Sequence, residues 1–428
     1  MSTAADRLRA LPARHAAGEH AGIASICSAH PLVIEATLRH GLKTGRDVLI
    51  EATCNQVNQD GGYTGMTPAD FRRFIERIAA TVGFPPERLI LGGDHLGPNP
   101  WKHLSAAQAM AKAEAMIEAY AAAGFAKLHL DASMGCAGEL PALADEIVAE
   151  RAAQLAARAE AAVRSGGLVP PVYVIGTEVP VPGGATHALD HLEITDPAAV
   201  RRTIEVHEMA FRALGLEEAF SRAIAVVVQP GVEFGHSDIV VYQPSKAEGL
   251  TQFLRDQPRW VFEAHSTDYQ PGSALRSLVG DGFAILKVGP WATFALREAL
   301  YGLSAIADIL HPAPSEPSLP DAMEALMQEE PGNWRNYCHG SAEEQHIQRH
   351  FSYSDRIRYY WPDGQAQEAV ERLMRRLGDR PIPVPLVGQH LGKLHAAVAS
   401  GALEPTAREL LLASVTAVLD IYDAATRP

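Results

Sequence analysis

The residues able to do chemistry in this sequence gather just beyond short apolar runs. Asp94 and His95 follow the run 89–92, His236 comes after 223–228, and His265 follows 260–264. Three histidines plus an open position form a usual catalytic zinc shell. The chain holds 18 histidines, and a histidine has many other uses. These three, however, sit in contexts rich in glycine or carboxylate, which makes them a candidate site for a divalent metal, expected to be Zn2+. Asp94 adjoins His95 and could reach a substrate held on that metal, as a general acid or base. A carboxylate beside a histidine also commonly serves only to brace the ring. Glu178, after the run 172–176, and Glu263 are further carboxylates. Each is fit to be a ligand, a base, or the partner of a buried lysine such as Lys287, because buried charge requires pairing.

Hydrogen-bonding groups surround these positions. Asn55, Gln56, Asn58, Gln59 and Tyr63 form a loop able to read sugar hydroxyls, or one that satisfies its own backbone. Asp131 and Ser133 follow the run 127–130, Ser266 follows His265, and Lys287 lies in the run 283–288. All four are candidate substrate contacts. A Ser–His–Asp reading of Asp131 and Ser133 is discounted, since no GxSxG elbow accompanies them. Arg356 and Arg358 are candidate phosphate ligands if the C-terminal part folds over the site. Their bland alternative is ordinary surface pairing.

Something must bring such distant residues together. Short β-type runs at 22–27, 47–52, 89–92, 127–130, 172–176, 223–228, 260–264 and 283–288 alternate with helical stretches. The clearest of those stretches are 68–82, 105–124, 142–165 and 198–214. Several runs are continuously apolar, as parallel strands buried on both faces are. Thr67-Pro68 and Asp196-Pro197 read as helix starts. Eight strands alternating with helices is the count of a (β/α)8 TIM barrel, whose active site lies just after the strands. An open doubly wound sheet shows the same alternation, but no GxGxxG follows the first run. The barrel is expected within residues 1–312. A proline-rich linker spans 311–320, and residues 321–428 form a helical C-terminal extension that packs on the barrel as a cap or serves oligomerisation. A homo-oligomer is expected.

Composition narrows the partners. A formal net charge of -14 disfavours nucleic acid and anionic membranes. The four cysteines make no CxxC pair, so neither a disulfide framework nor a thiolate zinc site is indicated. The absence of a signal-peptide pattern and of a long apolar stretch leads to the expectation of a cytoplasmic protein.

At these motifs the chain resembles a known family. SICSAHPLVIEA, IEATCNQVNQDGGYTGM, LILGGDHLGPNPW, LDASM, VIGTEVPVPGG and SDRIRYYWPD resemble the tagatose-bisphosphate aldolase accessory-subunit family, over nearly the whole chain. That family is in turn similar to class II, zinc-dependent fructose- and tagatose-bisphosphate aldolases. The resemblance implies that Asp94 is the proton-transfer residue and His95 a zinc ligand. Gly235-His236, with Tyr242 at a different spacing, and Phe262-Glu-Ala-His265-Ser266 are similar to the motifs of the other two zinc histidines. The aldolases' phosphate-cradling glycine loop is absent, because Ser-Thr-Asp follows His265. A phosphate is therefore expected at another end of the site.

The resemblance implies two quite different functions. Some members act as a non-catalytic subunit supporting a separate aldolase, which would then be a partner. Others act alone as 4-epimerases on a small sugar phosphate, interconverting D-tagatose 6-phosphate and D-fructose 6-phosphate. Asp94 and all three histidines are present, which favours catalysis, and the missing glycine loop disfavours a true aldolase. The expected mechanism is metal-assisted retro-aldol epimerisation. Asp94 or Glu178 takes the O4 proton, the C3–C4 bond breaks, the aldehyde turns its other face, and the bond re-forms with C4 inverted.

Overall fold

The computed structural model describes residues 3–176, 192–313 and 315–427. Ten strands occur among them: β1 (Ile23–Ile26), β2 (Val48–Thr53), β3 (Leu89–Leu96), β4 (Lys127–Leu130), β5 (Val172–Ile175), β6 (Ala223–Val227), β7 (Glu233–Phe234), β8 (Ile239–Val240), β9 (Val261–Ala264) and β10 (Ile285–Val288). Eight of them close a parallel barrel in the order β1-β10-β9-β6-β5-β4-β3-β2. The pairing of β1 with β10, Ile23 opposite Ile285, is the closure that an open sheet lacks. The fold is the (β/α)8 barrel. β7 and β8 form a small antiparallel pair outside it.

The helices between strands carry the signals that start them. Helix Pro68–Val82 begins with a capping box: Thr67 N–H donates to Asp70, and Asp70 N–H to Thr67 Oγ1. Proline at its first position loses no hydrogen bond there. It ends at Gly83, whose φ of 78° suits glycine.

The barrel interior is layered. At the N-terminal ends of the strands, Leu49, Ile90, Val172, Val174, Val261 and Ile285 pack together. Leu8 and Leu11, from the short helices Ala4–Arg9 and Leu11–Ala16, join this cluster and plug the barrel floor. One layer up the interior turns polar, and Ser25, Glu51, Lys127, Glu263 and Lys287 are all buried there. Gly92 leaves room for this layer, since a Cβ on it would lie 2.5 Å from Glu51 Oε1.

The chain beyond residue 318 is helical. Its last helix, Ala407–Thr426, packs against helices Pro31–Thr44, Gly272–Gly280 and Pro290–Leu310 and against β1. Tyr422, fully buried, donates its hydroxyl to Thr267 O at 2.9 Å. A turn at Arg356–Tyr360 reaches the barrel mouth. Among the described residues no helix is long and apolar enough to cross a membrane.

Candidate active site

The register of β3 against β4 shifts at the motif that carries Asp94 and His95. Gly93 pairs with Leu128 but Leu96 with Leu130, so β3 holds one extra residue there. In a regular strand Asp94 and His95 would face opposite sides. The bulge, with His95 at a φ of 48°, brings both side chains to one cavity at the strands' C-terminal mouth. Four non-glycine residues have positive φ among the described residues: His95, Ser266, Tyr269 and Asp355. His95 and Ser266 line the cavity. Tyr269 and Asp355 belong to the segments that close it, with Tyr269 donating its hydroxyl to Tyr353 O at 2.6 Å. Backbone strain of this kind persists where surrounding structure enforces a functional geometry.

The cavity is small, about 90 Å³. Asn55, Gln56, Tyr63, Asp94, His95, His265, Ser266, Asp268, Lys287, Arg358 and Tyr359 contribute to its lining. Distances define what each can do. His95 Nδ1 lies 2.7 Å from Asp131 Oδ2; the carboxylate accepts, so the proton sits on Nδ1 and Nε2 keeps its lone pair. Asp131 in turn accepts the Ser133 hydroxyl at 2.8 Å. Asp131 and Ser133 do not line the cavity; they orient the histidine. Burial works against a proton on His95, but Asp94 and Asp131 overcome it and raise its pKa. A basic imidazole braced by a carboxylate is the arrangement that metal-ligating histidines adopt. His265 donates through Nε2 to Glu263 Oε1 at 3.2 Å, and burial lowers its pKa to about 4, so it is neutral. Its ring centroid is 4.7 Å from that of His95.

His129 completes the ring cluster. Its Nε2–H donates to Gly176 O at 3.0 Å, which leaves Nδ1 as an acceptor lying 3.0 Å from Asp94 Oδ1. The His95 backbone N–H donates to the same Nδ1 at 3.2 Å, and Lys287 Nζ lies 2.9 Å from the same Asp94 oxygen. Donor atoms of Asp94, His129, Glu263 and His265 all lie within 4.8 Å of one another. The donor set therefore fits a divalent cation.

Beneath the cavity the charges interlock. Lys127 Nζ lies 2.6 Å from Glu51 Oε1 and 2.7 Å from Glu263 Oε2, with all three side chains fully buried. Lys287 contacts Glu51, lies 2.9 Å from Asp94 Oδ1, and is 3.9 Å from Glu263. Burial opposes ionisation of Asp94, yet His95 and Lys287 above all hold its carboxyl well below the usual range. Asp94 is thus a carboxylate. Glu263 answers the sequence reading as a lysine partner, though Lys127 is its nearer lysine.

Other expectations separate by position. His236 is not brought to His95 and His265: its Nε2–H donates to Tyr337 O at 2.9 Å and its Nδ1 accepts from Ser352 at 2.8 Å. The β7–β8 pair turns Phe234 to the cavity and leaves His236 against the C-terminal segment, and His129 is the third ring instead. Asn58 bonds Cys54 O and the N–H groups of Asp60 and Gly62, so it holds its own loop. Gln56 lines the cavity, but its amide bonds Thr53 N and Cys27 O. Asn55 and Tyr63 are the members of that loop that face the cavity without such ties from their side chains to the backbone. Arg358 lines the cavity, bonded to Asp355 O at 3.0 Å and Tyr359 OH at 2.9 Å. Arg356 does not; it stacks 3.4 Å over Tyr337 and bonds Asn333 O. Glu178 lies outside the described residues. The sequence reading missed His129, Glu51, Lys127 and Asp268. The alternation of Lys127 and His129 along a strand of period two was the available signal for two of them.

A closed (β/α)8 barrel with a carboxylate, clustered imidazoles, a buried lysine and a half-buried arginine converging on one cavity at its C-terminal mouth defines a barrel with an enzyme-type site. The chain belongs to the D-tagatose-1,6-bisphosphate aldolase subunit GatZ/KbaZ-like family, whose model matches residues 8–427. It is 53% identical over 419 residues to a D-tagatose 6-phosphate 4-epimerase of Agrobacterium fabrum, covering 98% of each chain. A solved structure from Sinorhizobium meliloti, titled a probable tagatose 6 phosphate kinase, is similar at 58% identity and a TM-score of 0.88. The match covers 94% of this chain and all of that one.

Proposed function

We propose that this chain is a sugar-phosphate 4-epimerase that interconverts D-tagatose 6-phosphate and D-fructose 6-phosphate by retro-aldol and aldol steps. The observation that carries the reading is that Asp94, His95, Lys287 and Arg358 line one cavity. The Agrobacterium relative's name gives the substrate and the carbon.

Arg358 supplies the cation for the 6-phosphate, and Asn55 and Tyr63 are the hydrogen-bonding groups for sugar hydroxyls. Asp94, ionised, takes the proton from O4. The C3–C4 bonding electrons pass into the C2 carbonyl, leaving the enediolate of dihydroxyacetone and the aldehyde of glyceraldehyde 3-phosphate. Lys287, beside Asp94, stabilises the negative charge that develops on the ketose oxygens. A divalent metal, Zn2+ by the chemistry of the donors, would be held by His129 and His265 with Asp94 and Glu263, and would supply Lewis-acid stabilisation of the same charge. The roof of Arg358 and Tyr359 retains the aldehyde fragment while its carbonyl turns. C3 then attacks the other face, and O4 recovers its proton.

The family description favours a second reading, a subunit that stabilises a separate class II aldolase. One experiment separates them. The purified protein, alone with Zn2+ and D-tagatose 6-phosphate, is expected to form D-fructose 6-phosphate, and Asp94→Asn to lower kcat by about 10²–10⁴-fold. No product, with an added aldolase gaining thermal stability, overturns the epimerase reading.

A further inference from the structure

Barrels of this kind often bind phosphate where the loops after the seventh and eighth strands meet a helix N-terminus. Here the eighth barrel strand, β10, leads through Gly289 into helix Pro290–Leu310. Pro290 has no N–H, so the first donors at that end are Gly289 and Trp291. Both are already engaged. Asp268 Oδ1 accepts from Gly289 N at 3.0 Å and from Trp291 N at 2.9 Å, and its Oδ2 lies 3.1 Å from Gly289 N. The loop that delivers Asp268 bends at Ser266 and Tyr269, with φ of 52° and 64°. Thr267 between them is pinned, donating to Lys287 O at 2.6 Å while Tyr422 bonds its carbonyl. Asp268 is 2% exposed, and it lines the same cavity as Asp94, His95 and Gly289.

We propose that Asp268 is a specificity-determining residue: it fills the barrel's anion niche with the protein's own carboxylate and so selects a ketose monophosphate against a bisphosphate. A phosphate entering the niche would meet a fixed negative charge at contact distance and find both backbone donors taken. A hydroxyl entering it would find an acceptor. Arg358 is left as the cation for a phosphate, and the ligand group that meets Asp268 must be neutral. This rests on the epimerase reading for the identity of the ligand.

The test is equilibrium binding of fructose 6-phosphate and fructose 1,6-bisphosphate to the full chain by calorimetry. Wild type is expected to bind the monophosphate at least about tenfold more tightly, the scale of one unfavourable charge contact. Asp268→Ser frees the donors and should shrink or reverse that ratio while changing monophosphate affinity less. Asp268→Asn keeps the shape and most of the niche's bonds, loses the charge, and should fall between. Equal wild-type affinities overturn the inference alone and leave the epimerase reading standing. So does an unchanged ratio in a folded Asp268→Asn. If wild type binds neither ligand and turns over no tagatose 6-phosphate, both fall together.

Discussion

Replacing Lys127 by methionine tests the charged layer under the cavity. Methionine keeps a long apolar stem and removes the ammonium that lies 2.6 Å from Glu51 and 2.7 Å from Glu263. Two fully buried carboxylates then lose their shared cation. Breaking a buried ion pair from one side costs about 3–5 kcal/mol, because the partner charge stays behind without compensation. A chain of 428 residues has an unfolding entropy of roughly 0.9 kcal/mol/K, at ~2.1 cal/mol/K per residue. The expected fall in Tm is thus about 3–6 °C. The two carboxylates are not left equally exposed to the loss. Glu51 keeps its contact with Lys287, whereas Glu263 is 3.9 Å from Lys287 and otherwise holds only the His265 N–H. Adding Glu263→Gln to Lys127→Met should therefore recover about half of the lost stability, and adding Glu51→Gln should recover less. Differential scanning calorimetry of the four proteins gives the answer. A Lys127→Met protein melting within about 1 °C of wild type, or rescue by Glu51→Gln exceeding rescue by Glu263→Gln, would refute the reasoning.

Two further outcomes follow from the same geometry. His207 is buried, its Nδ1–H donating to Thr203 O at 2.7 Å, and burial lowers its pKa from 6.5 to about 4. Its unfolded form takes a proton below pH 6.5 and its folded form does not, so stability falls as pH falls from 6.5 to about 4, by up to about 3 kcal/mol; in urea titrations His207→Gln should flatten that slope. Metal analysis separates the two histidines that the sequence treats alike: His265→Gln should lose bound Zn2+, while His236→Gln should keep it and make the C-terminal segment easier to proteolyse. Metal lost from His236→Gln but kept in His265→Gln would reverse the assignment.

The strands were legible because parallel strands buried on both faces leave unbroken apolar runs, and the observed barrel strands fall on the eight expected runs within a few residues. Asp94 and His95 were legible because a barrel's chemistry lies where such a run ends. What could not be read was orientation beyond the strand. Nothing in VEFGHSD announces that a two-residue β7 and β8 will pair and carry His236 toward Ser352 and Tyr337. Arg356 and Arg358 stand two apart in a tight turn, which sends their side chains to different sides. Only the packed fold decides which one meets the cavity. The floor plug of Leu8 and Leu11 was equally hidden, since two six-residue helices carry too short a pattern to assign.

The inward charges Glu51, Lys127, Glu263 and Lys287 form the other class of hidden residue, and they bear on why the site works. Each interrupts an apolar run singly, so no local pattern pairs it with a partner on another strand. Their pairing exists only once β1 and β10 close the barrel, bringing Lys287 beside Glu51 and Asp94. Well-packed apolar side chains in that layer would be neutral or stabilising by comparison, so stability alone does not account for it. Its geometry supplies a different reason. Lys287 reaches upward to Asp94 while Glu51, itself fixed by Lys127, holds it from below, so the carboxylate at the cavity floor faces a fixed cation. A proton acceptor must be ionised before the substrate arrives, and in a site that excludes water only such fixed charges can keep it so. The bulge in β3 turns Asp94 and His95 to one side. The ion layer beneath sets the charge that Asp94 presents to the cavity.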